Sequence, residues 1–401
     1  MFISKLPRKH LLTLLAVVAL LTAAPYSAAK AESGVNKALA EGTGSASLRY
    51  RYEMVDQQNF TKDALASTVR TRVGYNTGDL SGLSGYVEFE DVRVVGSERY
   101  NSTANGLTMY PVVADVESTE LNQGFLLYKG GAETTLKAGR QRIIFDNARF
   151  VGNVGWRQNE QTFDALIVSN QSLPDTEVKF AYLSNINTII AKDVGLKGIL
   201  LNATYSGLSA GKLTGYSYML DYDNATIDSQ TLGVRFSGKH KAGDVGILYT
   251  AEFATQRDYA DAPSMIGADY TLIEGGIDMA GITAKLGYEV LSGDGTYGFQ
   301  TPLATKHAFN GWADKFLATP VSGLQDTYIS VMGKVAGTKL LAIYHDFSAD
   351  QGSADYGSEI DLLAAKEIAK HYTVGVKYVS YNADTVSLDT NKLWLWGLAS
   401  F

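Results

Sequence analysis

The chain has 401 residues, no cysteine and a formal net charge of −7. Without cysteine there can be no disulfide framework and no thiolate metal site, and a net acidic chain is poorly suited to binding nucleic acid. Beyond the N-terminus no stretch holds the roughly 20 apolar residues that a spanning helix needs. That leaves a soluble all-β protein or a barrel whose apolar residues occupy alternate positions.

Residues 1–31 read as a secretory signal, with Lys5, Arg8 and Lys9 as the basic start and Leu11 to Leu21 as the apolar core. Ala29-Lys30-Ala31 supplies a small-x-small cleavage pattern, so residues 32–401 form the expected mature domain. Removing Lys5, Arg8, Lys9 and Lys30 from 35 basic residues leaves 31 against 42 acidic ones, a charge of −11.

Alternation of period two then runs to the last residue. Ala46, Leu48, Tyr50, Tyr52 and Met54 are apolar, while Ser47, Arg49, Arg51 and Glu53 between them are polar. The same grammar returns in Leu65–Asn76, Val245–Phe253, Ile282–Val290 and Tyr372–Tyr378. A strand puts such residues on opposite faces, one greasy and one wet. About 18 strands are predicted, and their connections alternate between short and long. Short ones fall near Asn76–Ser81, Gly130–Ala132 and Met279–Gly281, long ones near Val92–Thr119, Ile143–Gln161 and Ser292–Asp326. That parity is expected of a transmembrane antiparallel β-barrel with long external loops and short periplasmic turns; a sandwich has no reason to keep it. The last strand ends without a tail on Phe401, as outer-membrane proteins do. Trp394 and Trp396 suit either an interfacial girdle or the lumen.

Arginine is concentrated early. Ten of the mature chain's twelve lie between Arg49 and Arg157. Arg49/Arg51 and Arg70/Arg72 each share one strand face, opposite an apolar face that must meet lipid, so they are expected to line the lumen with Glu88 and Glu90. Arg140/Arg142 also forms an Arg-x-Arg pair, but Leu136 and Ala138 share its phase, and a bulge near Gly139 would resolve the conflict. Arg149 and Arg157 fall in the third external loop and are expected at the constriction. These guanidinium groups suit a selectivity lining for anionic solutes, and pairing with Glu88 and Glu90 as wall structure suits them equally. The longest loop carries Phe299, Phe309, Trp312 and Phe316 beside His307, Asp314 and Lys315; its aromatics are expected to pack onto the barrel. Acidic groups at Asp221/Asp223 and at Asp350, Asp355 and Glu359 read as solvated turns. The four scattered histidines of the expected mature chain and the absence of HExxH, GxSxG or phosphate-loop patterns argue against an enzyme, a cofactor or a metal site.

GRQRIIFDNARFVGNVGWRQNEQTFDA (Gly139–Ala165) resembles the Gly-Arg-Gln segment of the alginate-export family of outer-membrane porins. The Phe-Gln-Thr-Pro-Leu stretch with Asn310–Phe316 and Gly323–Asp326 is similar to another segment of that family. The resemblance implies a monomeric 18-stranded barrel in the bacterial outer membrane, in contact with lipid and lipopolysaccharide, with an electropositive pore for an acidic saccharide. The reading from residues is a passive channel for hydrophilic, anionic solutes, against two alternatives that would use the long loops: a barrel enzyme or a surface adhesin.

Overall fold

The computed structural model describes residues 28–224 and 227–401. The expected signal core, Leu11 to Leu21, lies outside the described residues. A helix, α1 (Ala28–Ala40), precedes 18 antiparallel strands. Among the described residues no helix is long and apolar enough to cross a membrane.

The first strands are β1 (Thr43–Gln57), β2 (Ala64–Asn76), β3 (Leu83–Val94), β4 (Ser118–Lys129), β5 (Thr134–Gln141) and β6 (Thr162–Asn170). Next come β7 (Thr176–Asn187), β8 (Asp193–Leu208), β9 (Gly211–Tyr222), β10 (Ser229–Ala242), β11 (Val245–Asp258) and β12 (Gly267–Met279). The chain ends with β13 (Ile282–Leu291), β14 (Leu324–Val335), β15 (Thr338–Ser348), β16 (Asp355–Ala369), β17 (Tyr372–Ala383) and β18 (Thr390–Ser400). Each strand pairs with its neighbours in sequence, and β1 pairs with both β2 and β18. The sheet is therefore a closed barrel with no free edge.

Alternation fixes what each face meets. Leu48, Tyr50, Val73, Phe89, Ile273 and Leu286 lie exposed on the outer wall, whereas Arg51, Glu53, Arg70 and Glu90 between them are buried inside. This inversion of a soluble protein's pattern suits a wall surrounded by lipid. The parity is clear over most of the chain, although 58–63 matches 77–82 in length and 171–175 matches 188–192. Two-residue turns join β10 to β11, β12 to β13 and β14 to β15, while 23 residues separate β3 from β4 and 32 separate β13 from β14.

The interior is not an empty tube. The connections after β3, β5 and β13 (hereafter L2, L3 and L7, as the second, third and seventh external loops) bring Tyr100, Phe145, Phe299, Trp312 and Phe316 into the buried core. Phe316 packs 4.7 Å from Phe347, and Phe150 lies 5.1 Å from Tyr216. The aromatics of L7 thus pack as expected, and they do so inside the lumen. Trp394 is fully buried there, 5.8 Å from Trp156 of L3, with Trp396 at 5.5 Å from the same ring. Both belong to the lumen and not to an interfacial girdle.

Two expectations need correction. The register of β5 against β4 and β6 runs unbroken past Gly139. The conflict of phase is resolved instead by Gly139 at φ +126°, with irregularities in the neighbouring pairings at Glu88/Phe89 and Asp164/Ala165. Glu359 is no solvated turn residue: it lies mid-wall on β16, buried, and accepts a hydrogen bond from Ala313 N–H of L7 at 2.8 Å.

Candidate constriction site

The inner faces of β1 and β2 present a column of arginines, and L3 lies across it. Arg49 donates to Gln158 Oε1 at 3.0 Å, to the Gly155 carbonyl at 3.1 Å and to the Arg157 carbonyl. Arg51 donates to the Trp156 carbonyl and pairs with Asp115 of L2. Arg70 reaches the Gln158 carbonyl at 3.4 Å. A loop backbone offers carbonyl acceptors, and a guanidinium offers five donors in a fixed fork. The arc therefore binds L3 mainly through its carbonyl groups, with the Gln158 side chain as a further acceptor.

Glu160 closes this contact. It accepts from Arg72 at 3.0 Å, from Arg142 Nε at 2.6 Å and from Asn122 at 2.6 Å. Burial works against its ionisation, but Arg72 and Arg142 overcome that cost and hold the carboxyl at about 2. Glu90 pairs with Arg72, and Glu88 takes Arg142 at 2.7 Å. Arg140 goes elsewhere, to Asp164 at 2.8 Å and Asp193 at 3.5 Å. The third Arg-x-Arg pair is thus split between two separate sets of partners.

Across the lumen the chemistry is reversed. Here carboxylates of β13, β14 and β16 hold the tip of L7. Asn310 donates to Glu289 at 2.6 Å and to Asp326 at 3.1 Å, and Ala313 N–H donates to Glu359. Arg149 bridges the two loops on this side, pairing with Glu289 at 2.8 Å and donating to Asn310 at 2.9 Å. His345 is hydrogen-bonded to Asp326 at 2.8 Å.

The second loop arginine stands where L3 and L7 meet. Arg157 pairs with Glu53 on β1 at 3.1 Å and with Asp314 of L7 at 2.8 Å. Lys392 on β18 reaches the same Asp314 oxygen at 3.1 Å. His307 donates from Nδ1 to Asp314 at 2.7 Å and accepts from Lys377 at Nε2 at 2.8 Å. Burial holds His307 neutral, with its pKa down at about 3. Burial opposes the charge on Asp314 as well, yet His307, Lys392 and Arg157 keep its carboxyl well below the usual range. The Lys377 ammonium lies 3.4 Å from the Trp312 ring centroid and 4.4 Å from that of Trp156, in the arrangement of a cation–π sandwich.

A cavity of about 460 Å³ opens beside this junction. It is lined by Arg157, Lys306, His307, Asp314, Lys315 and Lys392, with apolar Val112, Ala304 and Leu317. Four basic side chains face one carboxylate. Among the described residues neither Lys306 nor Lys315 forms an ion pair: Lys306 donates to the Leu317 carbonyl and Lys315 lies 5.8 Å from the Tyr381 ring. Burial, then the nearby Lys392 charge, brings the Lys315 ammonium down to about 8.

Arg49, Arg51, Arg70, Arg72 and Arg142 are therefore already engaged with the loops and the wall carboxylates, while Arg140 turns to Asp164 and Asp193. Sequence reasoning named Lys315 but missed Lys306, and it missed the two engaged strand lysines Lys377 and Lys392. Phase could have found the latter two, since each stands between outward apolar residues, Val376 and Tyr378 or Leu393 and Leu395. Lys306 carries no such signal.

An 18-stranded barrel with an apolar outer wall and inward-folded loops is the architecture of a bacterial outer-membrane porin, and the outer membrane is where this chain resides. The alginate-export family model matches residues 43–182, from β1 into β7, so the resemblance seen in the Gly139–Ala165 segment is borne out there. No curated protein sequence matches the chain. Outer membrane protein OpdK of Pseudomonas aeruginosa is similar in structure, with a TM-score of 0.71 and 14% identity over 90% of this chain and 99% of OpdK. OpdK with vanillate gives 0.72 and 13% over 90% and 99%. OccAB4 of Acinetobacter baumannii gives 0.71 and 12% over 90% and 98%. At such identities the likeness is one of fold.

Proposed function

We propose that the barrel is a passive channel for small hydrophilic solutes, biased towards anions such as uronates, and that the bias comes from the cavity between L3 and L7. The observation that carries this reading is the lining of that cavity, where Arg157, Lys306, Lys315 and Lys392 face Asp314 alone. The alginate-export match and the vanillate named with OpdK, a carboxylate, support the same solute class. Arg49, Arg51, Arg70, Arg72 and Arg142, with Glu88 and Glu90, hold L3 in place and contribute background potential. Arg140 stays with Asp164 at the rim. No cofactor is required, because a gradient drives the flow; selectivity rests on pore shape and on weak, multiple contacts.

Planar-bilayer recording under a KCl gradient tests the reading. The wild-type reversal potential should lie on the anion side, and replacing Lys306 and Lys315 together by Gln should move it towards zero. An unchanged potential in that variant would remove the cavity from selectivity. Discrete current steps that glucuronate modulates and glucose does not would assign the solute class.

A further inference from the structure

Asp314 has the surroundings of a bound ligand. One oxygen takes Arg157 and Lys392 at 2.8 and 3.1 Å, and the other takes His307 at 2.7 Å. Its carboxylate lines the cavity with the cations that face it, yet it is delivered by a loop and not by the wall. The delivering segment is conformationally costly. Lys306, Asn310 and Asp314 all adopt left-handed backbone, at φ of 50°, 52° and 63°, a region that non-glycine residues enter at a cost.

We propose that Asp314 is a tethered occupant of an anion site built by Arg157 and Lys392, and that an entering solute carboxylate takes its place and releases the tip of L7. The proposal rests on the anionic-solute reading above and adds its regulation. The exchange is favourable for a simple reason. Removing Asp314 alone would leave Arg157 and Lys392 buried with too little negative charge, which is expensive. Replacing one carboxylate by another conserves the charge of the site. Lys306 and Lys315 then supply donors that Asp314 does not use. A neutral solute offers no such substitution and leaves the loop where it is.

Freed of Asp314, the tip of L7 keeps its contacts with the carboxylates of β13, β14 and β16 and the hydrogen bond from Arg149 to Asn310. Trp312 and His307 leave Lys377 and Trp156 as the tip moves. Solute binding and loop release are then two readouts of one equilibrium, and the closed loop lowers the apparent affinity for the solute.

The chain provides its own reporter. All four of its tryptophans, Trp156, Trp312, Trp394 and Trp396, stand at this junction. Intrinsic emission of the full-length barrel in detergent should change saturably with sodium glucuronate, and not with glucose or with matched NaCl. Asp314→Asn should start near the solute-saturated spectrum and half-saturate at a roughly tenfold lower glucuronate concentration, because the competing charge is gone. Asp314→Glu should behave as wild type. Heat-modifiable electrophoretic mobility verifies that each variant forms the barrel. If Asp314→Asn matches wild type in spectrum and in half-saturation, the latch is wrong. Should glucuronate modulate the bilayer current while leaving wild-type emission unchanged, the latch falls and the channel reading stands. If neither protein conducts KCl or responds to glucuronate, both readings fall together.

Discussion

The two sides of the lumen hold their loops by opposite chemistry. On β1 and β2 the wall donates: Arg49, Arg51 and Arg70 reach into L3 for carbonyl oxygens at Gly155, Trp156, Arg157 and Gln158. On β13, β14 and β16 the wall accepts: Glu289, Asp326 and Glu359 take N–H groups from Asn310 and Ala313 of L7. A guanidinium offers several donors in a fixed fork, whereas a carboxylate only accepts. The first arc thus clamps L3 from the wall side by donation. The second holds the tip of L7 by acceptance, and it is L7, not L3, that presents the exchangeable carboxylate to the cavity. Wall arginines in a porin need not be selectivity residues; here they are engaged in keeping a loop still.

The largest effect should come from cutting the junction between the arcs. Arg157→Ala leaves Glu53 and Asp314 buried without their main cation, a loss of about 3–5 kcal/mol for such a pair. Tryptophan emission followed through a urea titration should show L3 and L7 loosening well before the barrel unfolds. Glu359→Ala removes one acceptor and strands the Ala313 N–H, at about 1–3 kcal/mol. Glu359→Gln keeps an acceptor and should recover most of that loss, which would show that the second arc works by hydrogen bonding more than by charge.

Acidification should loosen the site next. His307 is held neutral with a pKa near 3, below its usual 6.5, so its folded form binds fewer protons and stability falls as pH drops from about 6.5 towards 3. Glu160, held at about 2, contributes stability above its usual 4.5 that is lost as pH falls towards 2. Both act in the same direction, and emission between pH 7 and pH 3 measures their sum. The smallest effect is at the other end of the scale. Lys315 loses its charge around pH 8, so anion preference should weaken between pH 7 and pH 9, and Lys315→Gln should abolish that part of the pH dependence.

Much of the barrel was legible in the sequence because lipid and water impose a strict period of two. Strand number, turn parity and the inward facing of Arg49, Arg51, Arg70 and Arg72 all follow from that period. Ile143–Gln161 was readable as a loop for the same reason. Its destination was not. Arg157 meets Glu53 and Asp314 across separations of 104 and 157 residues along the chain, and loop side chains carry no periodicity that would reveal such partners. Glu359 shows the same limit from the opposite side. The acidic run near Asp355 looks like a turn, yet Glu359 stands on β16 in phase with buried Asp361 and opposite exposed Ile360 and Leu362.

Asp314 also bears on how the barrel is closed. The cylinder is sealed where the first strand meets the last, with Glu53 opposite Trp394 and Val55 opposite Lys392 in the β1–β18 ladder. Inside, the series Glu53, Arg157, Asp314, Lys392 runs from β1 through both loops to β18. That series is a rivet across the seam. Lys392 can join it only when the last strand is in place, so the series is complete only in the closed barrel.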